Sequence, residues 1–291
     1  MFSEKLSGLE VAGVAFIVIL LLASFSGPGT MIGKTSTGEV SSDREDRVLP
    51  SEGILLPVVW GDMGKKMVEA GVIDAEKFEK IYEGRGGLSQ EMKRLLYNAG
   101  NGQIKMTYEN SGVILNLLWA LGLSNKNTIL ENGPMTTTSG DASRFASTGG
   151  WTLARGSAMD YYARHQFFIL TPEQQTLVER VSQNIYRPCC GNSTYFPDCN
   201  HGMAMLALLE LMASQGVSET EMYRIALQVN SYWFPETYLT LAKYFETKGV
   251  SWDKVKPQEV LGVNYSSGLG YRKILEEVTP PEQRKGGSCG V

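Results

Sequence analysis

Hydrophobic and polar positions divide the chain into segments of different character. Residues 11–25, VAGVAFIVILLLASF, are apolar except for Ser24, and no charge falls between Glu10 and Lys34. A bilayer's hydrocarbon core of ~30 Å needs ~20 such residues in a helix. The pattern predicts a transmembrane anchor or signal segment over residues 11–33, behind a short N-terminal tail at 1–10. A cleaved signal peptide is the rival, since Ser24-Phe25-Ser26 offers a small-x-small site. The single Lys5 beside Glu4 and Glu10 makes a poor signal-peptide n-region and favours the uncleaved anchor. The short tail favours N-inside, with the bulk of the chain extracytoplasmic. Residues 34–53 carry Lys-Thr-Ser-Thr-Gly and Ser-Ser-Asp-Arg-Glu-Asp-Arg, and their polarity predicts a flexible linker.

From residue 54 to 278 the pattern is that of a globular helical domain. Asp74 and Ser89 stand where N-caps belong, before AEKFEKIY and QEMKRLLYNA. SGVILNLLWALGL, residues 111–123, is apolar on nearly every side and reads as a buried helix too short to span a bilayer. Residues 127–151 are rich in Thr, Ser and Gly and read as an ordered loop. Thr171-Pro-Glu-Gln174 is a capping box with Pro at the first helical position, and Pro188 stops the helix that follows. HGMAMLALLELMASQG, residues 201–216, is the next strong helix. Ser218-Glu-Thr-Glu221 opens another, and Pro235 interrupts it before a helical period at 236–248. Short helices follow at 251–261 and 271–278, then a disordered tail at 279–291. Sustained two-residue alternation is not apparent. The expected fold class is all-α, a compact irregular helical domain.

Composition narrows the function classes. The chain has 291 residues, a net charge of −4 and a pI near 5.4. It holds no block of like positive charge, which argues against nucleic acid as a partner. C-x-x-C-H, C-x-x-C, H-E-x-x-H, P-loop and G-x-S-x-G patterns are missing, which removes the usual haem, redox, zinc-protease, nucleotide and hydrolase signatures.

What stands out is the stretch at residues 187–203, RPCCGNSTYFPDCNHGM. It contains three of the four cysteines, Cys189, Cys190 and Cys199, and one of the two histidines, His201. Thiolate and imidazole ligands suit zinc and copper. Adjacent cysteines depart from the usual C-x₂₋₄-C zinc spacing, whereas copper(I) accepts two or three thiolates in looser geometry, which places copper ahead of zinc. Asp198 or Asn200 is the expected N-cap of the following helix. Cys199 then sits near a helix N-terminus, where the dipole favours a thiolate. His165, Met203 and Met205 are secondary candidate ligands. The spacing of Met205, Leu208, Leu209 and Met212 is that of a core face. Cys289 lies in the tail.

Pro188-Cys-Cys-Gly191, followed by Cys199-Asn-His-Gly202 and a helix, resembles the signature of bacterial proteins named for a Pro-Cys-Tyr-Cys-Gly-Cys motif. The resemblance covers roughly twenty residues. It implies a membrane-anchored or lipoprotein-type envelope protein with a metal-handling cysteine cluster, and it carries over Cys189, Cys190 and Cys199 as ligands. Taken together, the sequence predicts a membrane-anchored extracytoplasmic metal-binding protein, with the membrane as partner through the N-terminal helix. Two alternatives stay open: a structural or interaction domain closed by a Cys190–Cys199 disulfide, and a thiol enzyme using Cys199.

Overall fold

The centre of the domain is a pair of helices that are apolar nearly all round. The structure, a computed structural model, describes residues 37–280. The expected anchor at 11–33, the first residues of the linker, residues 281–291 of the tail and Cys289 lie outside the described residues. In chain order the elements are α1 (Thr37–Val48), β1 (Ile54–Gly61), α2 (Met63–Ala70), α3 (Ala75–Glu83), α4 (Gln90–Tyr97), β2 (Asn101–Met106), α5 (Ser111–Ser124), α6 (Thr128–Asn132) and α7 (Pro134–Thr137). They continue with α8 (Pro172–Gln183), α9 (Asn200–Ser214), α10 (Glu219–Trp233), α11 (Pro235–Thr247), α12 (Pro257–Val260), α13 (Val263–Ser266) and α14 (Gly268–Glu277). The described residues are mostly helical. Among them, no helix is long and apolar enough to cross a membrane.

α5 and α9 are the central pair. Every α5 residue except Gly112 is buried, and α9 is buried from His201 to Ala213. Gly122 lets the two backbones approach, because a Cβ there would sit 2.3 Å from the Met203 carbonyl oxygen. A side chain at that point would push the helices apart. α8 and α10 pack against this pair and α11 packs on α10, with Pro235 at the first position of α11 marking the sharp turn out of α10.

Three sequence expectations are corrected. The described residues are mostly helical, as expected, but not exclusively: β1 and β2 form a two-stranded antiparallel sheet, pairing Ile54 with Met106 and Gly61 with Asn101. The strand escaped notice because its outward positions are also apolar. Leu55 and Val59 are exposed, while Leu56, Val58 and Trp60 are buried. Part of the expected linker is helix α1, held by tertiary contacts that its polar composition does not reveal. Arg44 pairs with Glu246 of α11 at 2.7 Å, and Val48 is buried. The loop expected at 127–151 contains α6, α7 and a 3-10 turn at Ala142–Arg144. The Asn127 side chain caps the first of these by accepting from the Ile129 amide.

The capping signals fared better. Asp74 and Ser89 accept from the amides of Lys77 and Met92, and Thr171 with Gln174 forms the reciprocal box of α8. Ser218 accepts from the Glu221 amide at the start of α10.

Candidate metal centre

The end of α8 and the start of α9 face each other across the cysteine stretch. After α8 the chain folds back on itself: Thr194 donates its amide to the Ile185 carbonyl at 2.8 Å, and Tyr195 donates to Ser182 at 3.1 Å. Tyr186 donates its amide to Leu261 and accepts from Asn230 Nδ2 at 3.2 Å, which ties the same segment to α10 and α12. The Cys190 carbonyl accepts from the Gly268 amide at 2.9 Å, where α14 begins. These bonds fix both ends of the loop and bring its three thiols together.

The sulfurs of Cys189, Cys190 and Cys199 all lie within 4.8 Å of one another. Cys199 is the hub, 3.5 Å from Cys189 Sγ and 4.0 Å from Cys190 Sγ. All three are free thiols; Cys189 is exposed and the other two are half-buried. Cys199 is itself the N-cap of α9, its sulfur accepting from the Gly202 amide at 3.4 Å. The sequence alone assigns that place to Asp198 or Asn200. Asp198 is occupied elsewhere, accepting from Arg187 Nη2 at 2.6 Å and from Asn192 Nδ2 at 2.7 Å.

Arg187 organises the site from beneath. Its guanidinium is 1% exposed. Nε donates to Cys199 Sγ at 2.9 Å, Nη1 to the Asn192 carbonyl at 3.0 Å, and Nη2 to the Phe196 carbonyl at 3.1 Å as well as to Asp198. Gly202 makes room for it: a Cβ there would lie 2.5 Å from the guanidinium carbon. The fork of donors is thus shared among two backbone carbonyls, a carboxylate and a sulfur.

The environment sorts the thiols by charge. Hydrogen bonds from Cys189 and Cys190 hold Cys199 far below the usual thiol range, against the effect of burial, with His201 and Arg187 adding to the shift. Hydrogen bonding to Cys190 and Cys199, then burial, drives Cys189 far upward. Cys190 is lowered by its bond with Cys189, but the bond to Cys199 and burial outweigh this and push it up to about 11. Burial alone would lower the Arg187 pKa, yet the sulfurs of Cys199 and Cys190 and the Asp198 carboxylate together raise it. The geometry suits a thiolate at Cys199, with the Arg187 guanidinium donating to its sulfur and two further thiols beside it.

Such a cluster could hold a metal ion on three sulfurs, since thiolates are the ligands of soft ions. The remaining candidate residues are placed elsewhere. His201 follows Cys199 by two residues and favours its thiolate, but its buried ring packs on Phe234 at 4.3 Å and Trp233 at 5.8 Å and is not part of the ligand cluster. His165 stacks between Tyr161 and Phe167 at 6.0 and 5.3 Å, and burial lowers its pKa. Met203 and Met205 are core residues, buried within α9. Arg187 was the residue with no assigned role in the sequence. Its one signal was position, a basic residue adjoining Pro-Cys-Cys and eleven residues before an aspartate. Comparison with known family models, curated proteins and solved structures finds no match for this chain.

Proposed function

We propose that this is a metal-binding protein that holds a soft ion on Cys189, Cys190 and Cys199, copper(I) ahead of zinc, for binding or handling the ion rather than for turnover. The observation that carries the reading is the convergence of three sulfurs within 4.8 Å, the hub sulfur accepting from the buried Arg187 guanidinium. Copper(I) is satisfied by two or three thiolates, whereas a structural zinc site is closed by a fourth ligand. His201 packs on Trp233 and Phe234 and is not among the clustered ligands, so the site offers three sulfurs, a set that suits copper(I) better than four-ligand zinc. Exposure of Cys189 gives an incoming ion a first point of contact. In the same reading, residues 11–33 anchor the chain to a membrane and the helical domain lies on the extracytoplasmic side.

The test is anaerobic purification of the full chain in detergent without chelator, followed by copper(I) loading against a competing chelator and elemental analysis. The expected result is one copper per chain, lost in Cys189→Ser and in Cys199→Ser. A protein that stays metal-free under these conditions and carries one intramolecular disulfide by mass spectrometry would overturn the reading. One distance favours that second reading, a loop closed by a disulfide. Cys189 Sγ is 3.5 Å from Cys199 Sγ, nearer than Cys190, so the bridge would run Cys189–Cys199 rather than Cys190–Cys199.

A further inference from the structure

A cavity of about 620 Å³ adjoins His201. Its walls come from the turn after α3, the start of α4, the segment joining β2 to α5, the first turn of α9 and the corner between α10 and α11. None of the three clustered cysteines lines it. The floor is buried and largely aromatic, with Tyr82, Tyr232, Trp233 and His201. The rim is charged and exposed, with Glu91, Glu109 and Arg85. A concave apolar hollow with a few convergent polar groups is the usual form of a small-molecule site.

Three features specify the occupant. Aromatic side chains line the floor, and rings of this kind stack with planar groups and attract cations over their faces. Asn200, on the first turn of α9, lines the cavity, and its Oδ1 is sealed against the wall with no hydrogen-bond partner. A buried acceptor without a donor is costly and calls for an N–H or O–H from a ligand. Tyr82 does not supply one, because its hydroxyl donates to the Gly112 carbonyl at 3.5 Å while accepting from Asn116 Nδ2 at 2.7 Å. Finally, two rim carboxylates against one guanidinium disfavour an anion.

We propose that this cavity binds a small aromatic or heteroaromatic molecule, neutral or cationic, whose N–H group donates to Asn200 Oδ1 once that side-chain amide turns from its sealed position into the cavity. The site stands independently of the metal reading, because it shares no cysteine with it. Benzamidine is a suitable probe, being planar, cationic and rich in N–H donors, and benzoate is its anionic counterpart of similar size. Gly112 provides a blocking position. It lines the cavity, and a Cβ there would meet nothing within 4 Å, so Gly112→Leu has room to start a side chain into that space.

The experiment is calorimetric titration of the full chain with each probe. The expected result is saturable benzamidine binding, weakened at least tenfold in Gly112→Leu and in Asn200→Ala, with benzoate at least tenfold weaker than benzamidine. Thermal melting of both variants verifies folding, and Asn200→Ala carries the test if Gly112→Leu does not fold. Non-saturating titration, equal affinity in the folded variants, or equal affinity for benzoate would each overturn the proposal. Cys190→Ser should bind benzamidine as the parent does, so failure of the metal reading leaves this result unaffected.

Discussion

Arg187 donates its Nε–H to the sulfur of Cys199 across 2.9 Å, from a position with only 1% of its surface exposed. A buried guanidinium is tolerated only when its charge and donors are matched. Here Asp198 and the Cys199 thiolate supply the negative charge, and two loop carbonyls take the remaining donors. Replacing Arg187 by Met removes the cation and leaves those partners facing a low-dielectric interior. The expected loss is about 3–5 kcal/mol of unfolding free energy, read from urea denaturation. Arg187→Lys keeps the charge and loses the fork, so it should fall between the two. In both variants Cys199 should alkylate with iodoacetamide only at higher pH than in the parent.

Gly202 is needed because that guanidinium lies against the first turn of α9. A methyl group at this point would stand 2.5 Å from the guanidinium carbon and 2.8 Å from Nε. Gly202→Ala gains helix propensity, worth ~1 kcal/mol elsewhere. Here it should instead destabilise by roughly 1–3 kcal/mol, because the surrounding hydrogen bonds prevent Arg187 from yielding. Gly112→Ala is the control, since α5 offers open space there and the same change should be neutral or slightly stabilising. Paired thermal melts of the two variants decide the matter.

Gln215 joins the far end of α9 to the sheet. Its Oε1 accepts from the Val59 amide at 2.7 Å, and its Nε2 donates to the Val59 carbonyl at 2.9 Å. The side chain therefore imitates a neighbouring strand beside β1. Gln215→Ala should cost about 1–2 kcal/mol in denaturant unfolding, the net value of one or two exposed-edge hydrogen bonds. Metal loading should be unchanged, as the thiols sit at the opposite end of the helix.

Signals that are local in the chain proved legible, and those that depend on distant partners did not. Thr171, Ser218, Asp74 and Ser89 cap the helices they precede, because a cap is decided within four residues. The buried helix at 111–123 announced itself through its apolar circumference. β1 did not, since Leu55 and Val59 are apolar and exposed and mask the alternation of its burial. α1 was invisible because Arg44 and Val48 are anchored by contacts such as Glu246, some two hundred residues away. At the site, spacing alone pointed to Cys189, Cys190 and Cys199 as a group. Nothing in the spacing revealed that Arg187 would claim Asp198 and leave Cys199 as the helix cap. Nor did it reveal that the aromatics Trp233 and Phe234 would hold the His201 ring.

A buried acid in the middle of α9 sets how stability depends on pH. Glu210 is fully buried, its Oε2 accepting from Asn125 Nδ2 at 2.8 Å and its Oε1 without a partner. Asn125 is held in this orientation because its own Oδ1 accepts from the Phe167 amide at 3.1 Å. Burial raises the Glu210 pKa from 4.5 to about 8, with the Asn125 bond opposing the rise. The folded protein therefore keeps this proton over a pH range in which the unfolded chain has lost it. Stability from this group is fully present below pH 4.5, declines as pH rises, and is gone above about 8. At ~1.4 kcal/mol per pKa unit the total is on the order of a few kcal/mol. Glu210→Gln removes the ionisation while keeping an acceptor for Asn125. The variant should match the parent near pH 5 and exceed it in melting temperature at pH 8, with the gap widening steadily between. Parallel melting curves for the two proteins across that range would show that the carboxyl is already ionised in the fold.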